Sequence, residues 1–203
     1  MCRDYFTQRF YTGIGSRTAP EWAQALATEI ARKLSTTHIV RHGDAAGMDE
    51  AFSLGSGGRE EIWAPWKGFR KDERTSRTRQ RVQSPAQQVE SGNMLIREGI
   101  CPHFFKMKPS IQALFARSVF QITGQRSDIG ECDPLSEFVV YWAPEDSKGN
   151  IDGGTRIAVY LARRLGVPTI NIAIPEQVNP FLEELGIECP VKDEWLPYRY
   201  VVA

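Results

Sequence analysis

The sequence predicts an α/β fold built on a doubly wound, mostly parallel sheet, with a basic segment inserted in it. Three observations carry that reading. Short apolar runs alternate with helix-patterned stretches along most of the 203 residues. The run EFVVYW at 137–142 is nearly continuous in its apolar character, as a strand covered on both faces requires. Three passages from strand to helix carry glycines. Strand, helix, strand, helix, strand in this rhythm argues for parallel pairing through crossovers.

The first unit is a strand over 9–12, a glycine turn, and a helix from Pro20 to Leu34. Trp22, Leu26, Ile30 and Leu34 fall four apart on one face of that helix, and Pro20 suits its first turn. HIVRHG at 38–43 is a second strand, followed by a second glycine-containing turn and a helix near 49–54. A third strand over 60–64 ends at Pro65. Residues 67–110 break the rhythm and read as an insertion. Within them, 67–81 holds seven Lys/Arg against two Asp/Glu, an excess of five positive charges in a chain whose formal net charge is zero. Helical spacing returns at Ile111, Leu114, Phe115 and Val119, then comes the strand at 137–142. In NIDGGTRIAVYLARRLG at 150–166 a glycine turn leads into a helix striped by Ile157, Tyr160, Leu161 and Leu165. Arg163, Arg164 and Gly166 close it. PTINIAI at 168–174 is another buried strand, and the tail holds a short helix near 180–185 and an edge strand in YRYVV. With no internal repeat, 1–203 reads as one Rossmann-like domain.

Composition narrows the class. Hydrophobic content of 41% and charged content of 25% suit a globular protein with a full core. The neutral balance gives the molecule no long-range pull on nucleic acid or anionic membrane. Cys2, Cys101, Cys132 and Cys189 lie far apart without a CxxC pair, and the three histidines lack metal-ligand spacing with them. Reduced thiols in the cytoplasm, and no metal or cofactor, are the expectation. Arg3, Asp4 and Arg9 occupy the place where a signal peptide would be apolar, and no run approaches a membrane span.

The three glycine turns are GIGSR at 13–17, HGDAAGMD at 42–49 and DGGT at 152–155. In an open parallel sheet such turns lie along the carboxyl edge, where ligands bind at the change of winding direction. Helix N-termini there offer unpaired N–H groups and partial positive charge to a phosphate. The candidate ligand-binding residues are Gly13, Gly15, Ser16, Arg17, Gly43, Gly47, Asp49, Gly153, Gly154, Thr155 and Arg156. The hydroxyls would donate, and the arginines would pair with phosphate oxygens in a fork. Each turn also has a plain reading, that glycine fits a tight connection, and GxG without a third glycine is a weak signal. Asp49 reads either as a ribose-hydroxyl acceptor or as a carboxylate favoured by a helix start.

GIGSRTAP, then RHGDAAGMDEAF, a strand ending in proline, and GGTRIAVYLARRLGVPTINI together resemble a known superfamily. It joins the DNA-processing protein A (Smf) fold with the lysine-decarboxylase-like or LOG proteins (SLOG), and small stand-alone, often phage-borne members are the best fit. The resemblance spans 9–65 and 111–174. It implies a Rossmann-like nucleotide-binding domain that often pairs as a homodimer. Where members carry S-G-G-A-x-G-A-D, this chain keeps Gly43, Ala45, Gly47 and Asp49 and changes the rest.

That superfamily includes nucleotide binders, single-strand DNA binders and N-glycosidases. The expected function is binding of a phosphorylated nucleotide or nucleotide-derived ligand at the carboxyl edge of the sheet. A first alternative is an N-glycosidic hydrolase acting on nucleoside 5′-monophosphates. Its relatives place a glutamate three residues after the Gly-Thr pair of the last turn, where this chain has Ala158. Asp49 is the candidate catalytic carboxylate in its place, with Asp44, Glu50 and Asp152 as substitutes. Glu145 and Asp146 read more simply as a solvated turn. A second alternative is single-stranded DNA binding in recombination, with Arg74, Arg77 and Arg79 as contacts and Trp63, Trp66 and Phe69 nearby for base stacking.

Overall fold

The computed structural model describes residues 8–70, 80–125 and 133–188. Six strands form one all-parallel sheet: β1 (Arg9–Gly15), β2 (His38–His42), β3 (Glu60–Ala64), β4 (Gln80–Val82), β5 (Val139–Trp142) and β6 (Thr169–Asn171). Their spatial order is β4-β3-β2-β1-β5-β6. The chain therefore winds outward in one direction from β1 to β4 and in the other through β5 and β6. The reversal falls between β1 and β5.

Six helices cover both faces: α1 (Glu21–Leu34), α2 (Met48–Gly55), α3 (Pro85–Arg97), α4 (Pro109–Thr123), α5 (Thr155–Arg164) and α6 (Pro175–Leu185). One core joins α1, α2 and α6 to the sheet through Leu26, Ile30, Phe52 and Leu182. The other joins α3, α4 and α5 through Leu95, Val119, Ile157 and Leu161. Strands so covered must be apolar on both sides, and all four residues of β5 are buried. The predicted α/β doubly wound, Rossmann-like class is the observed one.

Several boundaries differ from the sequence reading, each for a local reason. β1 does not stop at Thr12 but runs through Gly13 and Gly15, which pair with Val140 and Trp142 of β5. α6 begins at Pro175 rather than near Pro180, with proline at its first turn. Residues 80–97 supply β4, which extends the sheet beside β3, and α3, whose Met94 and Leu95 enter the second core. The signal for α3 lies in SPAQ at 84–87. Ser84 Oγ accepts the Gln87 N–H at 3.2 Å while Gln87 Oε1 accepts the Ser84 N–H at 2.9 Å, a reciprocal capping box ahead of an N-terminal proline. The predicted edge strand YRYVV lies outside the described residues.

Tertiary packing also sets a pH response. His38 opens β2 with its ring against Tyr11 and Phe138, and its Nε2 stands 3.6 Å from Glu137 Oε2, beyond hydrogen-bond distance. Burial, aided by Arg9, holds its pKa below the ordinary histidine value despite Glu137 pulling the other way. The unfolded chain therefore takes up this proton more readily than the folded one. Stability should be level above the unfolded histidine pKa of about 6.5 and fall as pH drops below it. Urea melts at neutral pH and near pH 5 should show a smaller acid loss for His38→Phe than for the wild type. An identical loss would place the acid sensitivity elsewhere.

Candidate functional site

The site follows from the reversal between β1 and β5. Neither flanking connection crosses over that point, so a crevice opens at the carboxyl ends of the two strands. The gap between the strand ends is bridged by one bond, Ser16 N–H to the Trp142 carbonyl at 3.0 Å. Above it lies a cleft of about 520 Å³. All three glycine turns reach it: Gly15, Ser16 and Arg17 from the first, Ala45 and Asp49 from the second, and Asp152, Gly153, Gly154 and Thr155 from the third. Ile14, Ala143, Pro144 and Ala158 form an apolar floor, and α4 walls the cleft with Ile111, Leu114, Phe115, Arg117, Ser118 and Gln121.

The glycines divide into those that face this space and those that let elements touch. Gly153 and Gly154 stand in the open at the N-terminus of α5, where an added Cβ would meet nothing within 4 Å. No side chain caps the first turn of α5. Gly15 also lines the cleft, with the Trp142 carbonyl 2.7 Å from where a Cβ would sit. Gly13 lies instead beneath the Phe52 ring, 2.5 Å from an added Cβ, and gives α2 its seat on β1. Gly43 admits the Arg117 guanidinium and the Gln121 amide. Gly47 brings the second turn onto the first, with the Ser16 and Arg17 carbonyls 2.7 and 2.8 Å from its missing Cβ. Arg156 is exposed and does not line the cleft. Arg74, Arg77 and Arg79 lie outside the described residues.

Asp49 opens α2 and is 3% exposed. Its Oδ2 accepts the Gly43 N–H at 2.9 Å and the Ala45 N–H at 3.3 Å, so the carboxylate braces its own loop while lining the cleft. Ser16 Oγ accepts the Thr18 N–H at 3.2 Å and is hydrogen-bonded to Thr18 Oγ1 at 3.0 Å. Glu145 is not a solvated carboxylate. Its Oε1 receives Tyr141, Asn171 Nδ2 at 3.0 Å and Arg163 Nη2 at 3.2 Å, which ties the ends of β5 and β6 to α5.

The residue that sequence reasoning missed is Arg117. It sits in the third turn of an apolar helix, 8% exposed, and its Nη1 donates to the Gly43 carbonyl. Its Nε has no hydrogen-bond partner, and it forms no ion pair among the described residues. Burial lowers its pKa, Asp49 and Asp44 pull it back up, and the Arg17 charge pushes it down again. Arg17 itself is exposed and likewise makes no ion pair among the described residues. The two guanidinium charges thus act on each other across the cleft. An arginine inside an otherwise apolar helical stripe, LFARSVF, was the available signal.

Among the described residues no group of His, Cys, Asp and Glu is arranged to hold a metal ion, and no helix is long and apolar enough to cross a membrane. No family model and no curated protein matches the chain. Its fold is similar to the solved structure of DNA processing protein A from Helicobacter pylori, a protein described for its mode of binding single-stranded DNA. The TM-score is 0.51 at 14% sequence identity, covering 91% of this chain and 76% of that one. At that identity the likeness is one of fold.

Proposed function

We propose that the cleft between β1 and β5 binds the phosphate of a nucleotide. One observation carries this reading: Arg117, buried and in no ion pair among the described residues, lines the same cleft as Arg17, which likewise makes none there, and the uncapped N-terminus of α5. A buried guanidinium is strongly destabilised unless an anion accompanies it. A phosphate offers the planar fork its partner oxygens and suits a helix N-terminus. The apolar floor and the Ile111–Leu114–Phe115 wall leave room for a less polar moiety beside it.

A second reading is favoured by the fold likeness: the phosphate belongs to single-stranded DNA. The two readings share the site and differ in the ligand's length. Calorimetric titration with a nucleoside 5′-monophosphate and with an oligothymidylate separates them. Strand binding predicts an affinity that falls steeply with salt and a preference for the longer ligand. For either, Arg17→Ala should weaken binding by at least about tenfold, the loss of one charge-assisted contact. Absence of any nucleotide or oligonucleotide binding to the wild type would end both. Hydrolysis draws less support, because position 158 places a methyl group at the floor. The carboxylates lining the cleft are Asp49, whose Oδ2 is engaged by backbone, and the exposed Asp152.

A further inference from the structure

Beyond the cleft, Arg117 has a second neighbour of a different kind. Its guanidinium lies over the Phe69 ring, with Cζ 5.1 Å from the centroid. Phe69 in turn meets Trp66 edge to face, centroids 5.2 Å apart at 89°. Both aromatics follow directly on the carboxyl end of β3, so they stand on the same edge of the sheet as the cleft. Trp66 is 41% exposed. Trp63, three residues earlier, is buried and stacked on Phe120 at 4.7 Å. The fold therefore commits one tryptophan to its core and holds the next at the rim, one ring away from a cation that faces the cleft.

We propose that Trp66 and Phe69 form a stacking shelf for a nucleobase whose own phosphate is held by Arg117 and Arg17. The proposal rests on the phosphate reading above and adds the class of ligand: one carrying a flat aromatic base, rather than a phosphate or sugar phosphate alone. A base has a neutral π-face whatever its identity, and an exposed indole one ring away from a guanidinium suits it without reading its edges. The two ring steps keep Trp66 within the reach of one nucleotide from Arg117. Phe69 lies against the guanidinium while its Nε stays unbonded. A free nucleotide and a nucleotide unit within a single strand present this same chemistry.

The test compares thymidine 5′-monophosphate, an oligothymidylate and ribose 5-phosphate as ligands of the wild type, Trp66→Ala, Phe69→Leu and Arg17→Ala. Trp66 is exposed enough to be removed without emptying the core, Leu keeps an apolar contact on Arg117, and thermal melts check that each variant folds. Trp66→Ala and Phe69→Leu should weaken the two base-carrying ligands by about tenfold or more, the loss of one stacking contact. Ribose 5-phosphate affinity should not change in Trp66→Ala, whereas Arg17→Ala should weaken all three ligands. Base-carrying ligands indifferent to Trp66→Ala, or a loss shared equally by ribose 5-phosphate, would overturn the shelf and leave the phosphate site standing. No binding of any of the three to the wild type would overturn both. A larger loss for the oligomer identifies a strand as the source of the base, and an equal loss identifies a free nucleotide.

Discussion

Arg117→Met should abolish most ligand binding while leaving the protein folded. The side chain is almost fully desolvated and its Nε unbonded, so an anion entering the cleft meets a cation that water does not screen. Removing one partner of such a buried pair costs about 2–5 kcal/mol, a loss of roughly thirtyfold to several thousandfold in affinity. Stability responds to two opposed changes. The Gly43 carbonyl loses its bond from Nη1, and a burial penalty that Asp49 and Asp44 offset only in part disappears. The melting free energy should therefore move by no more than about 1–2 kcal/mol. Arg117→Lys should recover part of the affinity, because it restores charge without the fork. Calorimetry on the three proteins with a nucleoside monophosphate reads this directly. Undiminished binding by the Met variant would remove the cleft from consideration.

Gly47→Ala should have the largest effect on stability. Gly47 sits at φ +78 and ψ −118, a conformation that side chains avoid, at the N-terminus of α2. An added methyl would also stand 2.7 Å from the Ser16 carbonyl and 2.8 Å from that of Arg17, both backbone atoms that cannot rotate aside. Strain and overpacking together predict a loss of about 2–5 kcal/mol. For a chain of this size that is a fall in melting temperature of about 4–20 °C. Because the clash pushes apart two turns that line the cleft, ligand affinity should fall too. Gly154→Ala is the contrast. Its φ is −71 and nothing lies within 4 Å, so stability should change by less than about 0.5 kcal/mol. Equal melting temperatures for the two variants would mean that the first two turns are not locked through Gly47.

These two glycines show how far the sequence could be read. GIGSR, HGDAAGMD and DGGT were visible as glycine turns, and the parallel sheet implied that they share an edge. Which glycine faces ligand space and which serves packing was not visible. Gly13 and Gly154 are alike in sequence terms, each beside another glycine or one residue from it, yet one lies under Phe52 and the other opens onto solvent. Long amphipathic helices such as α1 were legible because their burial repeats with the helical period. β4 was not, because a three-residue edge strand with two exposed positions carries almost no alternation. The core role of Glu145 was hidden for a related reason. Its partners Tyr141, Arg163 and Asn171 come from three elements and lie up to 26 residues from it.

Periodicity and turn chemistry, which act over a few neighbouring residues, thus sufficed for the alternating architecture and for placing glycine-rich connections at one rim. Arg117 belongs to the other category. Along the chain it is one cation on an apolar helix, 74 residues from Gly43 and separated by still more from Arg17. Its character as a buried charge arises only when α4 packs over β1, β2 and β3 and brings Arg117 to the Gly43 carbonyl at the sheet's edge. Desolvation and Coulomb interaction depend on distance through space, and no local pattern of residues encodes that distance.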